Sequence, residues 1–139
     1  MDYHDRQLRK NGNTVKSMVN ILEDTRPHLV YLPFHLENHP DHRTTTAIGL
    51  EALKQRPVST VLLYEVWTTL IHNQLVDISN VIDKKLEAVR VYRSQKDIDE
   101  FADRVKGLNR FRSLHSDNQF QFAEAFFKLD LRDVDSIAF

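Results

Sequence analysis

A chain of 139 residues with a formal net charge of -1 and 41% hydrophobic content suits one soluble globular domain with a real core rather than two. Its 19 basic residues are balanced by 20 acidic ones, which leaves no broad cationic surface for nucleic acid or anionic lipid. Cysteine is absent, so disulfides, thiolate metal sites and thiol nucleophiles are excluded; with a charged start at Met1 to Arg6 and no apolar run of membrane-spanning length, the expectation is a cytoplasmic protein without a membrane span.

From Asn13 the apolar positions Val15, Met18, Val19 and Leu22 recur at helical spacing, and Arg26-Pro27 closes the segment because a residue before proline avoids helix. His28 to Phe34 is short, apolar and bounded by prolines, and reads as a buried strand. Asp41 to Gln55 places Ala47, Leu50 and Leu53 in helical register, and Val58 to Trp67 is a second nearly continuous apolar run. Helix, strand, helix, strand in alternation predicts an α/β fold on a parallel sheet.

Farther on, Ile82, Leu86 and Val89 mark a helix ending near Arg93, and Asp97 with Glu100 forms a potential capping box ahead of Phe101, Val105 and Leu108. Phe120 to Phe127 is expected to be helical, with Phe122 and Phe126 as a core stripe, and the charged ending from Asp130 to Asp135 to be poorly ordered. Two strong strands do not make a stable sheet, because unpaired edges leave backbone donors and acceptors unsatisfied. Weaker strands, for example near Leu75 to Ile78, or another polypeptide segment must complete it. An edge near Val30 and Leu32 is expected to expose apolar side chains and to favour a homo-oligomer or pairing with a missing N-terminal segment.

The densest chemical signal is His39-Pro40-Asp41-His42, in the loop after a buried strand and at the start of a helix, where open α/β sheets bind their ligands. A neutral imidazole is a good zinc ligand, a second can act as acid or electrostatic stabiliser, and a carboxylate between them can fix a ring tautomer. A purely structural reading competes: Pro40 supplies a turn and Asp41 caps the following helix.

The surroundings favour a site. Pro27-His28-Leu29-Val30-Tyr31-Leu32-Pro33 followed by Asn38-His39-Pro40-Asp41-His42-Arg43 resembles the strand, loop and helix of the LmbE/PIG-L zinc-dependent de-N-acetylases. Tyr64-Glu65-Val66-Trp67-Thr68, Val76-Asp77-Ile78-Ser79, Lys85-Leu86-Glu87-Ala88, Tyr92-Arg93-Ser94-Gln95 and Ala123-Glu124-Ala125-Phe126 are similar to later family segments in the same order. The resemblance implies a Rossmann-like fold, here partial, with an incomplete parallel sheet, flanking helices and a helical C-terminal part, over residues 1–139 as one domain. It also implies a mononuclear zinc enzyme that hydrolyses the N-acetyl group of N-acetylglucosamine conjugates. By motif position, His42 would be the zinc ligand, His39 the oxyanion stabiliser and acid for the leaving amine, and Asp41 the partner that orients His39.

The family's first motif, of the Ala-His-Pro-Asp-Asp-Glu type, supplies two further zinc ligands and the general base, and these 139 residues do not carry it. The expectation is therefore a truncated, inactive form that binds zinc weakly or not at all; the alternative is a non-catalytic remnant that binds a sugar or pairs with another chain. His4, flanked by Asp2 and Asp5, reads as a frayed terminus, and His35 as a loop residue near the site. Tyr64, Glu65 and Trp67 end the second strand, with Trp67 expected to pack over the sheet end and Glu124 given no role.

Overall fold

The computed structural model describes residues 4–92, 97–117 and 119–136. Its elements in chain order are α1 (Gly12–Thr25), β1 (Leu29–Pro33), α2 (Pro40–Gln55), β2 (Thr60–Tyr64), β3 (Gln74–Asp77), α3 (Ile82–Arg90), α4 (Ile98–Arg112) and β4 (Ala123–Leu129), with short 3-10 turns at Ser113–Ser116 and Leu131–Ser136. The fold is a mixed α/β arrangement in which four strands follow the order β1-β2-β4-β3. Contacts gather into two compact units, residues 1–73 with 126–139, and residues 74–125.

In the first unit β1 pairs parallel with β2, Tyr31 opposite Leu62 and Leu32 opposite Leu63. The other side of β2 pairs antiparallel with the end of β4, Leu63 opposite Phe127 and Tyr64 opposite Phe126. The expected parallel sheet is therefore mixed. The residues expected to be helical around Phe126 form a strand because the edge of β2 offers a ladder of backbone partners, and that outweighs the helical spacing of Phe122 and Phe126. Helices α1 and α2 pack together, and α2 also packs on β1. At Gly49 the helix comes so near the strand that an added Cβ would lie 2.7 Å from Leu32 Cδ2.

The helix α1 is started by Asn11, whose side chain accepts the N–H groups of Asn13 and Thr14 while Thr14 returns a bond to the Asn11 N–H, a reciprocal cap that satisfies otherwise orphaned donors. Strand β1 has one strand neighbour among the described residues, as expected of an edge. The side chains it exposes are Leu29 and Tyr31, not Val30 and Leu32: Leu32 is only 3% exposed. The two-residue period of a strand turns Val30 and Leu32 together to one face, and Leu32 meets Gly49 of α2 there.

In the second unit Ile78, Ile82, Leu86 and Ala102 form a core with Val89, Val105 and Phe122 packed against it. The expected strand near Leu75 is β3. Asp97 does precede α4, but in a left-handed conformation without a side-chain capping bond, so the capping box does not form. The helix α3 ends at Arg90, and the expected end at Arg93, with Ser94 and Gln95, lies outside the described residues. The ending after Asp130, expected to be poorly ordered, forms a 3-10 turn that buries Val134.

Candidate active site

The loop between β1 and α2 is held from three sides. Thr46, fully buried in α2, donates its hydroxyl to the Pro33 carbonyl at the end of β1, 2.7 Å away. Arg43, one turn into α2, donates to the carbonyls of Glu37 (2.6 Å) and Asn38 (2.9 Å). The Glu37 N–H closes the turn onto the Phe34 carbonyl at 3.0 Å. These bonds satisfy backbone carbonyls that a loop would otherwise leave without partners, and they fix the entry to α2.

His39 is the N-cap of α2 and Pro40 begins the helix, where its missing N–H costs nothing. The His39 ring replaces the usual Asn or Ser cap: its Nδ1 accepts the Asp41 N–H at 3.2 Å. The other nitrogen, Nε2, lies 3.1 Å from Asp5 Oδ1. His42, three residues on, sits over the same turn, and the two imidazoles lie with centroids 4.8 Å apart, tilted by 37°.

His42 Nδ1 lies 3.0 Å from Oε2 of Glu37, a carboxylate that is 0% exposed. The second Glu37 oxygen accepts the N–H groups of Trp67 (2.8 Å) and Thr68 (2.5 Å), just after β2. Glu37 thus joins the loop after β1 to the loop after β2, beside the His42 ring. In the sequence Glu37 belongs to a polar connection, and its spacing from His35 and His39 does not fit a metalloprotease motif. A glutamate two residues before a histidine motif carries no periodic or capping signal, and its burial depends on Trp67 and Thr68, 30 and 31 residues away.

Asp41 meets His39 through its backbone N–H; its carboxylate accepts the N–H groups of Arg6 (2.6 Å) and Leu8 (3.2 Å). The segment read as a frayed terminus is therefore latched to the first turn of α2 and delivers Asp5 to His39, while Asp2 lies outside the described residues. Asp5, His39 and Asp41 offer ligand atoms within 4.8 Å of one another. His35 packs edge-on against Phe34, with ring centroids 4.6 Å apart, and burial pushes its pKa below the ordinary value. Trp67, expected to pack over the sheet end, is 49% exposed, and its backbone N–H is anchored to Glu37. The Glu65 carboxylate accepts the Leu70 N–H at 2.8 Å, and Glu124 pairs with Lys85 at 2.5 Å in the second unit.

Comparison with known proteins bears on this arrangement. The family model PIG-L, GlcNAc-PI de-N-acetylase, matches residues 1–53, a span that includes both histidines and Glu37. Diacetylchitobiose deacetylase of Thermococcus kodakarensis is 30% identical, the match covering 68% of this chain and 42% of that protein. The N,N'-diacetylchitobiose deacetylase structure from Pyrococcus horikoshii superposes with a TM-score of 0.78 at 24% identity, over 95% of this chain and 57% of that one. GalB, the 4-carboxy-2-hydroxymuconate hydratase of Pseudomonas putida KT2440, gives a TM-score of 0.74 at 17% identity, over 93% of this chain and 63% of that one. The chain spans less than two thirds of each of these proteins. The structural likenesses establish a shared fold, which carries more than one reaction, so the chemistry has to be argued from the site.

Proposed function

The chain belongs to the PIG-L (LmbE-like) de-N-acetylase family, and from that premise we propose that it provides the second half of a zinc-dependent site for hydrolysing the N-acetyl group of an amino-sugar conjugate. The observation that carries the reading is the pair of imidazoles over the first turn of α2, each with its Nδ1 engaged by a different kind of protein group. His42 suits a zinc site: a histidine ligand normally has its second ring nitrogen bonded to a carboxylate or carbonyl, and the buried Glu37 carboxylate stands in that place. When bound, zinc supplies a water of lowered pKa and a Lewis acid for the acetyl carbonyl.

The rest falls to the chain's own groups. His39, with Nδ1 occupied by the Asp41 N–H, directs its exchangeable proton from Nε2, the nitrogen that faces Asp5. In the proposed reaction a water oxygen bonds to the acetyl carbon while the Nε2–H of His39 donates a hydrogen bond to the acetyl oxygen as charge builds there. The proton given up by the water, taken by the general base of the family's first motif, passes to the amine nitrogen as the carbon–nitrogen bond breaks, leaving acetate and a free amino sugar. The Asp41 carboxylate holds the segment carrying Asp5 in place, and its backbone N–H orients the His39 ring.

A catalytic zinc site takes about three protein ligands and a water. Among the described residues the convergent group of Asp5, His39 and Asp41 does not include His42. The proposal therefore requires a complementary segment with the His-Pro-Asp-Asp type donors, and the 139 residues alone are expected to bind zinc weakly and to release no detectable acetate. The test is acetate release from N,N'-diacetylchitobiose, with zinc, by the chain alone and by the chain mixed with the N-terminal segment of a family deacetylase. Release by the mixture should vanish with His42→Ala and fall by about 10²–10³ with His39→Ala, the usual worth of one donor to a developing oxyanion. Release that survives His42→Ala would refute the assignment.

A further inference from the structure

A buried carboxylate is stable only when its oxygens find donors, and Glu37 receives them from opposite sides. Two peptide N–H groups, of Trp67 and Thr68, approach Oε1; a peptide N–H can only donate, so this oxygen is an acceptor. Oε2 is left to Nδ1 of His42, 3.0 Å away. We propose that Glu37 is a positioning residue that holds His42 in its Nδ1–H tautomer and so presents the Nε2 lone pair to a divalent transition metal. The inference rests on the reading of His42 as a metal ligand and adds the group that makes the ring a ligand.

The surroundings are built for such a role. The backbone of Glu37 is fixed through its own N–H, bonded to Phe34, and through its carbonyl, held by Arg43. Its side chain is anchored to the segment after β2, so the ends of two paired strands set the orientation of one imidazole. The contrast with His39 is informative. There a peptide N–H approaches Nδ1 and makes it an acceptor, which puts the proton of the neutral ring on Nε2. Two histidines three residues apart are thus held in opposite tautomers, one offering a lone pair and the other a hydrogen-bond donor. The partner that fixes each, a buried carboxylate or a backbone amide, decides which histidine does which task.

The test is Glu37→Gln, which keeps the shape and exchanges one acceptor for a donor. The Trp67 and Thr68 N–H groups retain the amide oxygen, so the amide nitrogen turns towards His42 Nδ1 and the ring shifts to its Nε2–H tautomer. Long-range proton–nitrogen correlation of the imidazoles, recorded above the histidine titration range, reads the tautomer directly. The wild-type chain should show Nδ1–H at His42 and the variant Nε2–H, and a zinc titration followed at His42 should weaken by about 10-fold or more. Nε2–H in the wild type overturns the proposal whether or not the variant folds, as does a folded variant that keeps Nδ1–H. A wild-type ring in the Nδ1–H form that zinc leaves unchanged even with the complementary segment present would sink the metal reading of His42 and leave the tautomer assignment standing.

Discussion

Thr46→Val tests whether the loop between β1 and α2 is held by the bond described above. Thr46 is fully buried and its hydroxyl lies 2.7 Å from the Pro33 carbonyl, so valine of nearly equal volume removes one donor without opening a cavity. A net hydrogen bond contributes about 0.5–1.5 kcal/mol, and a buried group left without its partner costs about 1–3 kcal/mol; the expected loss is about 1–2 kcal/mol. The control is next door: the Thr45 hydroxyl bonds only back to the Asp41 carbonyl inside the same helix, so Thr45→Val should cost less than about 0.5 kcal/mol. Urea unfolding of the three proteins at a common slope gives both differences. If Thr46→Val is within about 0.5 kcal/mol of Thr45→Val, the hydroxyl is not what ties α2 to the end of β1.

Gly49→Ala sets about 1 kcal/mol of improved helix propensity against the cost of overpacking Leu32, about 1–3 kcal/mol. With Leu32 only 3% exposed and the new Cβ 2.7 Å from its Cδ2, a net destabilisation is expected in the same unfolding assay, and a gain would show that Leu32 moves aside freely. Burial lowers the His35 pKa from 6.5, so the folded state disfavours the charged ring. Its contribution is fully present above pH 6.5 and is lost as pH falls through the folded value, so His35→Phe should flatten the acid side of the stability profile, measured by urea unfolding at a series of pH values.

Much of the site was legible in local pattern. The apolar run of β1, the proline at the start of α2 and the histidines on either side of Pro40-Asp41 are all decided within about 20 residues, and chemistry that depends only on neighbours in the chain can be read from neighbours. The edge position of β1 followed from counting strands, and the strand near Leu75 from the need to complete the sheet. The site's supporting contacts could not be read this way. Asp41 binds backbone N–H groups 33 and 35 residues earlier, and Glu37 binds others 30 and 31 residues later.

The same division governs β4. Phe122 and Phe126 sit four residues apart, a helical spacing, but the free edge of β2 supplied backbone partners that no residue in that segment announces. The histidine motif and its place at the start of a helix after a strand could be read from the chain alone, because residue type and strand–helix alternation are local properties. Which nitrogen of His42 is engaged depends on the folded chain, because the Glu37 carboxylate facing it becomes buried and oriented only when the loops after two different strands close around it.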